Sequence, residues 1–299
     1  MTARAQPWFG TLVEVRVSAT AGSQADAAIT AAFASIARIH RLMSFHESGS
    51  ELSRINRDAR RSAVPVGHDT YKVLVAGLWV SSASAGAFDY TVGGCLARHG
   101  LLPGDEAIPR GASWRDVEID VRNRTVRFHA PLRIDLGGIA KGYAVDRAIA
   151  ALKNFGVVSA CVNAGGDLRL FGPVPQAIHI RHPGMPGRLL HACDLARGSI
   201  ATSAAYFNAT SPARPGLLPI VDPAKDAPIN DMPSVSVVAG SCMIADALTK
   251  VVTLRRDDAA PALAAFKAAA LVVGTNGSVA CSDPRRFAAL PALGPRLAA

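Results

Sequence analysis

Residues 133–146 read Arg133-Ile-Asp-Leu-Gly-Gly-Ile-Ala-Lys-Gly-Tyr-Ala-Val-Asp146 and run from the end of an apolar strand, through two glycines, into a helix. Gly137 and Gly138 allow the backbone to approach a ligand closely, at the point where the unpaired amides of the following helix begin. Those amides and the helix dipole favour an anion. Asp135 and Lys141 bracket the turn, and the lysine can meet a phosphate as a point charge. The stretch therefore predicts a phosphate site.

A second interpretation of the same stretch is an ordinary junction between a strand and a helix. A single glycine-rich turn is a weak motif, so the stretch alone leaves both interpretations open. Beyond the turn, apolar residues recur at helical spacing and predict a helix with one buried face. These residues are Val145, Ala148, Ile149 and Leu152.

The composition is that of a globular protein with a substantial core. The chain has 299 residues, of which 49% are hydrophobic and 18% charged; this excludes a disordered chain and fits one domain over residues 1–299. The net charge of +9 is spread over single arginines. The one local cluster, within residues 54–61, lacks the aromatic residues and motifs typical of nucleic-acid binding. We therefore expect no nucleic-acid partner.

The cysteines, the N-terminus and the apolar runs bear on the compartment. The five cysteines are scattered without a C-x-x-C pair, so they suggest neither a disulfide framework nor a zinc site. Residues 1–8 lack the apolar core of a signal peptide, and the most apolar later run, residues 259–274, is broken by Lys267. As written, the sequence predicts a cytoplasmic chain without a membrane span, or a periplasmic chain if a leader has been removed.

Apolar periodicity predicts a mixture of strands and helices along the chain. In order, we expect a strand at 11–18, a helix through Met43, a helix from Asp69 to Gly86, a hairpin at 114–130, the helix after the glycine turn, strands at 157–162 and 168–171, a strand at 235–239, a helix at 241–252, a helix at 259–270 and a strand at 271–274. The proline-rich segment 201–233 predicts extended loop. A second paired-glycine turn, at Asn163–Asp167, fits either a tight connection between strands or a point of close ligand approach.

Seven motifs in this order resemble the ApbE family of FAD:protein FMN transferases. They are Met43-Ser-Phe45, Ser50-Glu-Leu-Ser-Arg-Ile-Asn56, Gly86-Ala-Phe-Asp89, Asp135-Leu-Gly-Gly-Ile-Ala-Lys-Gly-Tyr-Ala-Val-Asp146, Val162-Asn-Ala-Gly-Gly-Asp167, Ala201-Thr-Ser203 and Ala245-Asp-Ala-Leu248. Any one of them is weak, but all seven in register, from Phe9 to beyond Asp246, are specific.

The resemblance implies an α+β fold of mixed sheets with helices, in which FAD lies in a cleft between two lobes of one chain. It also implies that a Thr or Ser hydroxyl of an acceptor flavoprotein attacks the FMN-side phosphorus of FAD, leaving AMP and a phosphoester-linked FMN. Mg²⁺ would bridge the protein and the pyrophosphate, since this ion prefers oxygen ligands and shares itself with phosphates. Phosphoryl transfer needs positioning and charge neutralisation more than covalent chemistry from the protein, which agrees with the turn at Asp135.

Carried over position by position, the resemblance implies two groups of site residues and assigns no catalytic residue. The FAD contacts are Phe9, Met43, His46, Ala87, Phe88, Asp89, Asp135, Lys141, Ile220 and Asp222, with residues 201–203 on the flavin side. The metal ligands are the Gly138 carbonyl, the Asp246 carboxylate and, if its hydroxyl completes the coordination shell, Thr249.

Three departures from the family pattern matter. Phe9 stands where relatives usually have Met, and His46 where they have an aromatic residue, which alters the packing against the flavin. Pro219 stands at the position of a histidine often proposed to help the acceptor hydroxyl. Lys250 stands at the position of a metal-ligating threonine, and an ammonium group cannot ligate Mg²⁺.

Lys250 leaves two alternatives open. Either Thr249 or water completes a Mg²⁺ shell and Lys250 is an added phosphate clamp, or Lys250 pairs with Asp246 and replaces the cation. The spacing also permits an ordinary i,i+4 helix pair that contributes roughly a few tenths of a kcal/mol. For the function, the alternatives to a transferase are an FAD-binding protein without transfer activity and an FAD pyrophosphatase that releases FMN and AMP.

Overall fold

The computed structural model describes residues 1–18, 22–104, 108–205 and 217–287. The strands in these ranges are β1 (Thr2–Trp8), β2 (Thr11–Ser18), β3 (Val64–Pro65), β4 (Val117–Asp120), β5 (Thr125–Phe128), β6 (Ser159–Ala164), β7 (Asp167–His182), β8 (Met185–Ser203), β9 (Val221–Asp222), β10 (Ala227–Pro228), β11 (Ser234–Ala239), β12 (Ala269–Val273) and β13 (Val279–Cys281). The helices are α1 (Gly22–Met43), α2 (Glu51–Asp58), α3 (His68–Ala83), α4 (Gly93–Arg98), α5 (Ala140–Asn154), α6 (Cys242–Arg255) and α7 (Ala260–Ala265), with short 3₁₀ helices at Trp114–Asp116 and Arg256–Ala259.

Eight strands form one sheet in the order β1-β2-β6-β7-β8-β11-β12-β13. Every neighbouring pair in it is antiparallel. Between β2 and β6 the chain leaves this sheet to form α1 to α5 and a small sheet of order β3-β5-β4. Helices segregated from a largely antiparallel sheet are typical of an α+β fold, so the predicted fold class is confirmed.

The two largest apolar clusters of the described residues pack the helices against the sheets. In the first, the inward residues Val13, Val15 and Val17 of β2 are buried against α1 and α5. The alternation along β2 and the helical stripes on α1 and α5 agree with the periods read from the sequence. In the second core, residues of α2, α3, α6 and α7 pack around the small sheet and the start of α5; the largest fully buried side chains there include Tyr90 and Phe128.

The hairpin of β7 and β8 is much longer than the sequence predicts. β7 continues from Asp167 to His182, where a short segment at 168–171 was expected, and β8 ends at Ser203, inside the predicted extended loop. The register between these strands shifts three times, first between Phe171 and Gln176. These irregularities break the alternation of side chains, so a period of two is no longer visible in the sequence.

The helix predicted at 259–270 was wrong in its length. The chain forms a 3₁₀ turn and then the six-residue α7, which ends at Ala265. Lys267 then takes a left-handed conformation, with φ of 51°, and β12 begins at Ala269. Apolar alanines in this segment suit both a helix and a buried strand, so their period could not separate the two.

Within the described ranges, no helix is long and apolar enough to cross a membrane. The single domain over residues 1–299 stays a prediction.

Candidate functional site

The glycine turn before α5 is held in place by Asn56. The Asn56 amide nitrogen donates to the Ile134 carbonyl at 2.9 Å, and the Ile134 N–H donates to the Asn56 amide oxygen at 2.7 Å. Asn56 lies on α2, whose N-terminus is capped by the Ser50 hydroxyl accepting from the Ser53 N–H. The second motif of the sequence therefore builds a short capped helix that clamps the strand leading into the turn.

Asp135 follows directly after this clamp. Its N–H donates to the Tyr90 carbonyl at 2.8 Å, and its carboxylate accepts from the Gly137 N–H at 3.1 Å. Burial raises the pKa of Asp135, and the hydrogen bond from the Gly137 N–H and the charge of Lys250 act in the opposite direction. The Lys250 ammonium therefore contributes to the electrostatics of this carboxylate.

Gly138 lies close to two side chains. A Cβ atom there would lie 3.3 Å from Phe88 Cε2 and 3.5 Å from Lys250 Cε. Phe88 is buried and Lys250 is partly exposed, so the turn is walled by an aromatic ring on one side and a lysine stem on the other. A side chain at this position would need Phe88 to move by a few tenths of an ångström.

Helices α5 and α6 touch through Gly142. A Cβ atom on Gly142 would lie only 2.4 Å from the Cys242 carbonyl oxygen and 2.9 Å from Asp246 Cβ. The Asp146 carboxylate also accepts from the N–H groups of Cys242 and Met243, both at 3.0 Å, which caps the N-terminus of α6. These contacts bring the Asp246 side chain to the first turn of α5.

Lys141, on that first turn, forms an ion pair with Asp167 and donates to the Ala164 carbonyl at 3.3 Å. Burial alone would lower the pKa of Lys141, but the charges of Asp167 and Asp246 outweigh it and raise that pKa overall. Burial and repulsion by Asp246 raise the pKa of Asp167 to about 6, against the opposing charges of Lys141 and Lys250. The second paired-glycine turn therefore delivers a buried carboxylate to this site.

Lys250 lies one helical turn after Asp246 on α6. Its ammonium forms an ion pair with the Asp246 carboxylate and also donates to the Asp246 backbone carbonyl at 3.0 Å. The other Asp246 carboxylate oxygen accepts from the Gly142 N–H at 3.1 Å. Two lysines and two buried carboxylates, Lys141, Asp167, Asp246 and Lys250, are thus gathered at the N-terminus of α5.

The predicted metal ligands do not fit Mg²⁺ as they are arranged. The Thr249 hydroxyl is buried, donates to the Asp246 carbonyl at 2.7 Å and lies 2.7 Å from the Ser203 hydroxyl. Mg²⁺ requires oxygen ligands in octahedral geometry, yet the Asp246 carboxylate is already paired with the Lys250 ammonium, a like charge for any Mg²⁺ at the same place. Among the described residues, no group of three or more His, Cys, Asp or Glu could hold a metal ion.

The segment Ala87, Phe88 and Asp89 is fixed by its own polar contacts. The Asp89 carboxylate accepts from the Thr91 N–H at 2.8 Å, from the Thr91 hydroxyl at 2.7 Å and from the Trp114 N–H at 3.2 Å. Burial raises the pKa of Asp89, while these hydrogen bonds act against the rise. Ala87 is buried in the same core as Phe88.

Phe9, Met43 and His46 come from the opposite end of the chain. Phe9 has a left-handed φ of 52° and its ring meets the His40 ring edge-on, with centroids 4.9 Å apart. Met43 is the last residue of α1 and is buried, whereas His46 is exposed in the loop that follows. Met43 belongs to the same core as Phe88, and the His46 ring lies beside the Phe45 ring, with centroids 6.5 Å apart.

Ile220 and Asp222 lie on the segment that forms β9. Ile220 is buried with Leu218 and Met232; the Asp222 carboxylate accepts from the Ala224 N–H at 3.1 Å and lies 3.3 Å from the Lys225 ammonium. The structure does not join these two side chains to the turn at Asp135.

A cavity of about 260 Å³ lies between Asp89 and β9. Asp89, Trp114 and Val221 are among its lining residues, so it brings two predicted FAD-binding segments to one space. Its rim contains Arg98, which forms an ion pair with Asp226. Only Gly86 and Asp89 of its lining residues stand in one of the seven motifs, so the cavity itself was not visible in the sequence.

Three residues with clear positions in the site were not assigned a role from the sequence. Asn56, Asp146 and Asp167 each stand inside one of the seven motifs, at polar positions within otherwise apolar or glycine-rich stretches. A polar residue inside such a stretch was the signal in the sequence that could have pointed to a role in the site. Their partners, Ile134, Cys242 and Lys141, are remote in sequence, so the contact itself was not visible.

Comparisons with known proteins agree with this arrangement. The ApbE family model matches residues 9–272. An FAD:protein FMN transferase from Vibrio cholerae is 32% identical over 225 residues, which cover 69% of this chain and 66% of that protein. Another from Rhodobacter capsulatus is 27% identical over 296 residues, which cover 93% of this chain and 56% of that protein.

The chain thus spans less than two thirds of the length of these two relatives. Among solved structures, the ApbE protein from Thermotoga maritima superposes with a TM-score of 0.82 at 26% identity, covering 93% of this chain and 96% of that one. The family match extends over most of the chain, and the structural match covers nearly all of both chains. The chain therefore belongs to the ApbE family.

Proposed function

We propose that this chain is an FAD:protein FMN transferase, which moves the FMN half of FAD to a Thr or Ser hydroxyl of an acceptor flavoprotein and releases AMP. The observation that carries the proposal is the pair of contacts at the first turn of α5, Lys141 with Asp167 and Lys250 with Asp246. The relatives from Vibrio cholerae and Rhodobacter capsulatus are named for this activity.

The pyrophosphate of FAD would lie against the N-terminus of α5. There the helix dipole favours negative charge, although the Ala140 N–H donates to the Leu136 carbonyl and the Gly142 N–H donates to the Asp246 carboxylate. Lys141 and Lys250 add positive charge beside these amides, and Gly138 lets the phosphate reach the backbone. Phosphoryl transfer needs this kind of positioning and charge neutralisation.

The remaining contacts proposed for FAD come from the edges of the turn. They are Phe9, Met43, His46, Ala87, Phe88, Asp89, Asp135, Ile220 and Asp222, with Thr202 and Ser203 on the flavin side. FAD would occupy a cleft between two lobes of the chain, and the cavity beside Asp89 is continuous with two of these segments. Asp135 offers acceptor oxygens to hydrogen-bond donors of the dinucleotide.

The transfer conserves atoms and charge without a covalent intermediate on this chain. The acceptor hydroxyl oxygen forms a bond to the FMN-side phosphorus, the bond from that phosphorus to the bridging oxygen breaks, and AMP leaves with the bridging oxygen. One proton is released. The two lysines stabilise the charge that develops on the phosphate oxygens.

The acceptor is a flavoprotein with a Thr or Ser in a flavinylation motif of the form Asp-x-x-Thr/Ser-Gly-Ala/Thr-Thr/Ser. The net charge of +9 would speed the encounter with an acidic acceptor surface. We place the reaction in the cytoplasm, or in the periplasm if a leader has been removed; fractionation of cells that express the full-length gene distinguishes the two.

The test is incubation of the purified chain with FAD and an acceptor protein that carries the motif. A protein band that fluoresces under ultraviolet light after denaturing electrophoresis supports the transferase, and an acceptor whose motif Thr is changed to Ala is the control. Absence of the band in the presence of bound FAD refutes the transferase.

A specific feature favours a second candidate, an FAD pyrophosphatase or an FAD-binding protein without transfer. Pro219 offers neither a backbone N–H nor a polar side chain where relatives have a histidine proposed to assist the acceptor hydroxyl. The same incubation separates these activities. Free FMN and AMP without a labelled band indicate hydrolysis by water, and unchanged FAD indicates binding alone.

A further inference from the structure

We propose that the Lys250 ammonium is a built-in cation that occupies the position of the metal beside Asp246, so that no divalent ion binds there and FAD binding is independent of Mg²⁺. The inference concerns the part of the site at the first turn of α5, where the phosphates of FAD would bind. Its statement about FAD rests on the proposed function. It is carried by the contacts of Lys250, Asp246 and Thr249.

The first step is the position of the ammonium. Lys250 Nζ contacts both the carboxylate and the backbone carbonyl of Asp246, the latter at 3.0 Å. The lysine stem lies along the turn, with Cε 3.5 Å from the position of a Cβ on Gly138. The ammonium therefore lies between Asp246 and the turn, where an ion bridging Asp246 and a bound pyrophosphate would have to be.

The second step is the state of the oxygen donors. The remaining Asp246 oxygen accepts from the Gly142 N–H at 3.1 Å. The Thr249 hydroxyl is fully buried, and its contacts are with the Asp246 carbonyl and the Ser203 hydroxyl, each at 2.7 Å. A metal ion on the Asp246 carboxylate would therefore have to displace the Lys250 ammonium or lie beside it.

The third step is the balance of charge. The Asp246 side chain is 1% exposed and the Lys250 side chain 17% exposed, so neither charge is well solvated. Each charge is therefore stabilised by the other, and removal of one would leave an uncompensated buried charge. A divalent cation at the same place would stand against the ammonium as a like charge. The ammonium has three N–H donors; the two contacts with Asp246 use two of them, and the third can donate to a phosphate oxygen.

The first experiment measures FAD affinity by fluorescence quenching, in MgCl₂ and in EDTA, for the wild type, Lys250→Thr and Lys250→Met. We expect the wild-type affinity to differ by less than about twofold between the two conditions. Lys250→Thr should bind about tenfold more weakly in EDTA and recover in Mg²⁺, because the threonine hydroxyl restores an oxygen ligand. Lys250→Met, which supplies neither charge nor oxygen, should bind weakly in both.

A second experiment uses no FAD and controls for folding. Lys250→Thr leaves Asp246 without its counter-ion, so Mg²⁺ should raise the melting temperature of this variant but not that of the wild type. A Mg²⁺-induced rise in the wild type equal to that in Lys250→Thr overturns the proposal.

The two experiments separate failure of the inference from failure of the proposed function. Loss of wild-type FAD affinity by about tenfold or more in EDTA overturns the built-in cation and leaves the transferase intact. Wild type that binds no FAD in either condition refutes the proposed function and, with it, the part of this inference that concerns FAD. The melting experiment then decides the part that concerns Asp246 and the metal.

Discussion

Replacement of Gly142 by alanine tests whether the contact between α5 and α6 builds the phosphate end of the site. A Cβ atom at this position would lie 2.4 Å from the Cys242 carbonyl oxygen and 2.7 Å from its carbonyl carbon. These are backbone atoms at the start of α6, which the Asp146 carboxylate fixes through two hydrogen bonds. Relief of the clash therefore requires a shift of the helix rather than a change of side-chain rotamer.

The magnitude follows from the distances. Moving the oxygen from 2.4 Å to 3.4 Å, where ordinary van der Waals contact begins, takes 3.4 − 2.4 = 1.0 Å. A shift of this size lengthens the 3.1 Å hydrogen bond from the Gly142 N–H to Asp246 beyond useful range. Overpacking costs about 1–3 kcal/mol, and the gain in helix propensity from glycine to alanine offsets about 1 kcal/mol. Because the clash is with backbone, we expect a net loss of about 2 kcal/mol.

The assay is urea denaturation of the wild type, Gly142→Ala and Gly240→Ala, followed by FAD titration of each. Gly240 precedes the same helix, and a Cβ atom there meets nothing within 4 Å, so Gly240→Ala should stay within about 0.5 kcal/mol of wild type. Gly142→Ala should lose both stability and FAD affinity, since Asp246 and Lys250 move away from α5. The reasoning is refuted if Gly142→Ala matches Gly240→Ala in both measurements.

The remaining predictions concern the supports of the site and the thiols. Asn56→Ala removes two hydrogen bonds to Ile134 and should lower the free energy of unfolding by about 2 kcal/mol; an unchanged urea midpoint would contradict this. Lys141→Met leaves the Asp167 carboxylate without its partner, so carboxyl NMR should find the Asp167 pKa above the value of about 6 in the wild type; a lower value would contradict the contact. Because that pKa is raised from 3.8 to about 6, the native state binds more protons than the unfolded state between these values, and this group makes stability fall as pH rises through the window. Urea midpoints at pH 4 and pH 6 should therefore decline more in the wild type than in Asp167→Asn, and equal pH dependence would rule the effect out. Of the five thiols, Cys281 is partly exposed and the others are buried, so a thiol reagent should label one cysteine rapidly in the native protein and all five after unfolding; rapid labelling of several would contradict the burial.

The parts of the fold that the sequence predicted well are those with an unbroken period. β2 alternates over eight residues, and its inward valines are all buried. The helix after the glycine turn begins at Ala140 and buries the predicted stripe that contains Val145 and Leu152. In such segments the burial pattern repeats the sequence pattern, because each element has one face against the core.

The parts predicted poorly are those in which long-range pairing overrides local pattern. Gly172, Pro173 and Pro175 interrupt the alternation in β7, yet the strand continues because β8 pairs with it across the irregularity. Residues 268–270 are helix-forming alanines, but Ala269 and Ala270 join the sheet because β11 offers a free edge for β12. A local window cannot report a partner strand that lies more than 30 residues away in the chain.

For the candidate site, too, the sequence predicted some features and only the structure shows the others. The sequence supplied the residue types, namely the turn, the two lysines and the carboxylates, together with their order along the chain. The sequence did not decide whether Lys250 is a phosphate clamp or a replacement for the metal. The structure adds that Lys250 contacts both the side chain and the carbonyl of Asp246, which an i,i+4 spacing alone does not specify.

What the sequence by itself determined about this protein is local: the glycine turn at the start of α5, the amphipathic periods and the ordered motifs that identify the family. These features depend on neighbouring residues and on backbone preferences, so a short stretch of sequence is enough to predict them. Only the tertiary structure decided which groups meet at the site: Asn56 with Ile134 across 78 residues, and Gly142 with Asp246 across 104. The physical reason is that hydrogen bonds and ion pairs act over a few ångströms in space, whatever the distance along the chain, and packing of α5 on α6 sets that distance.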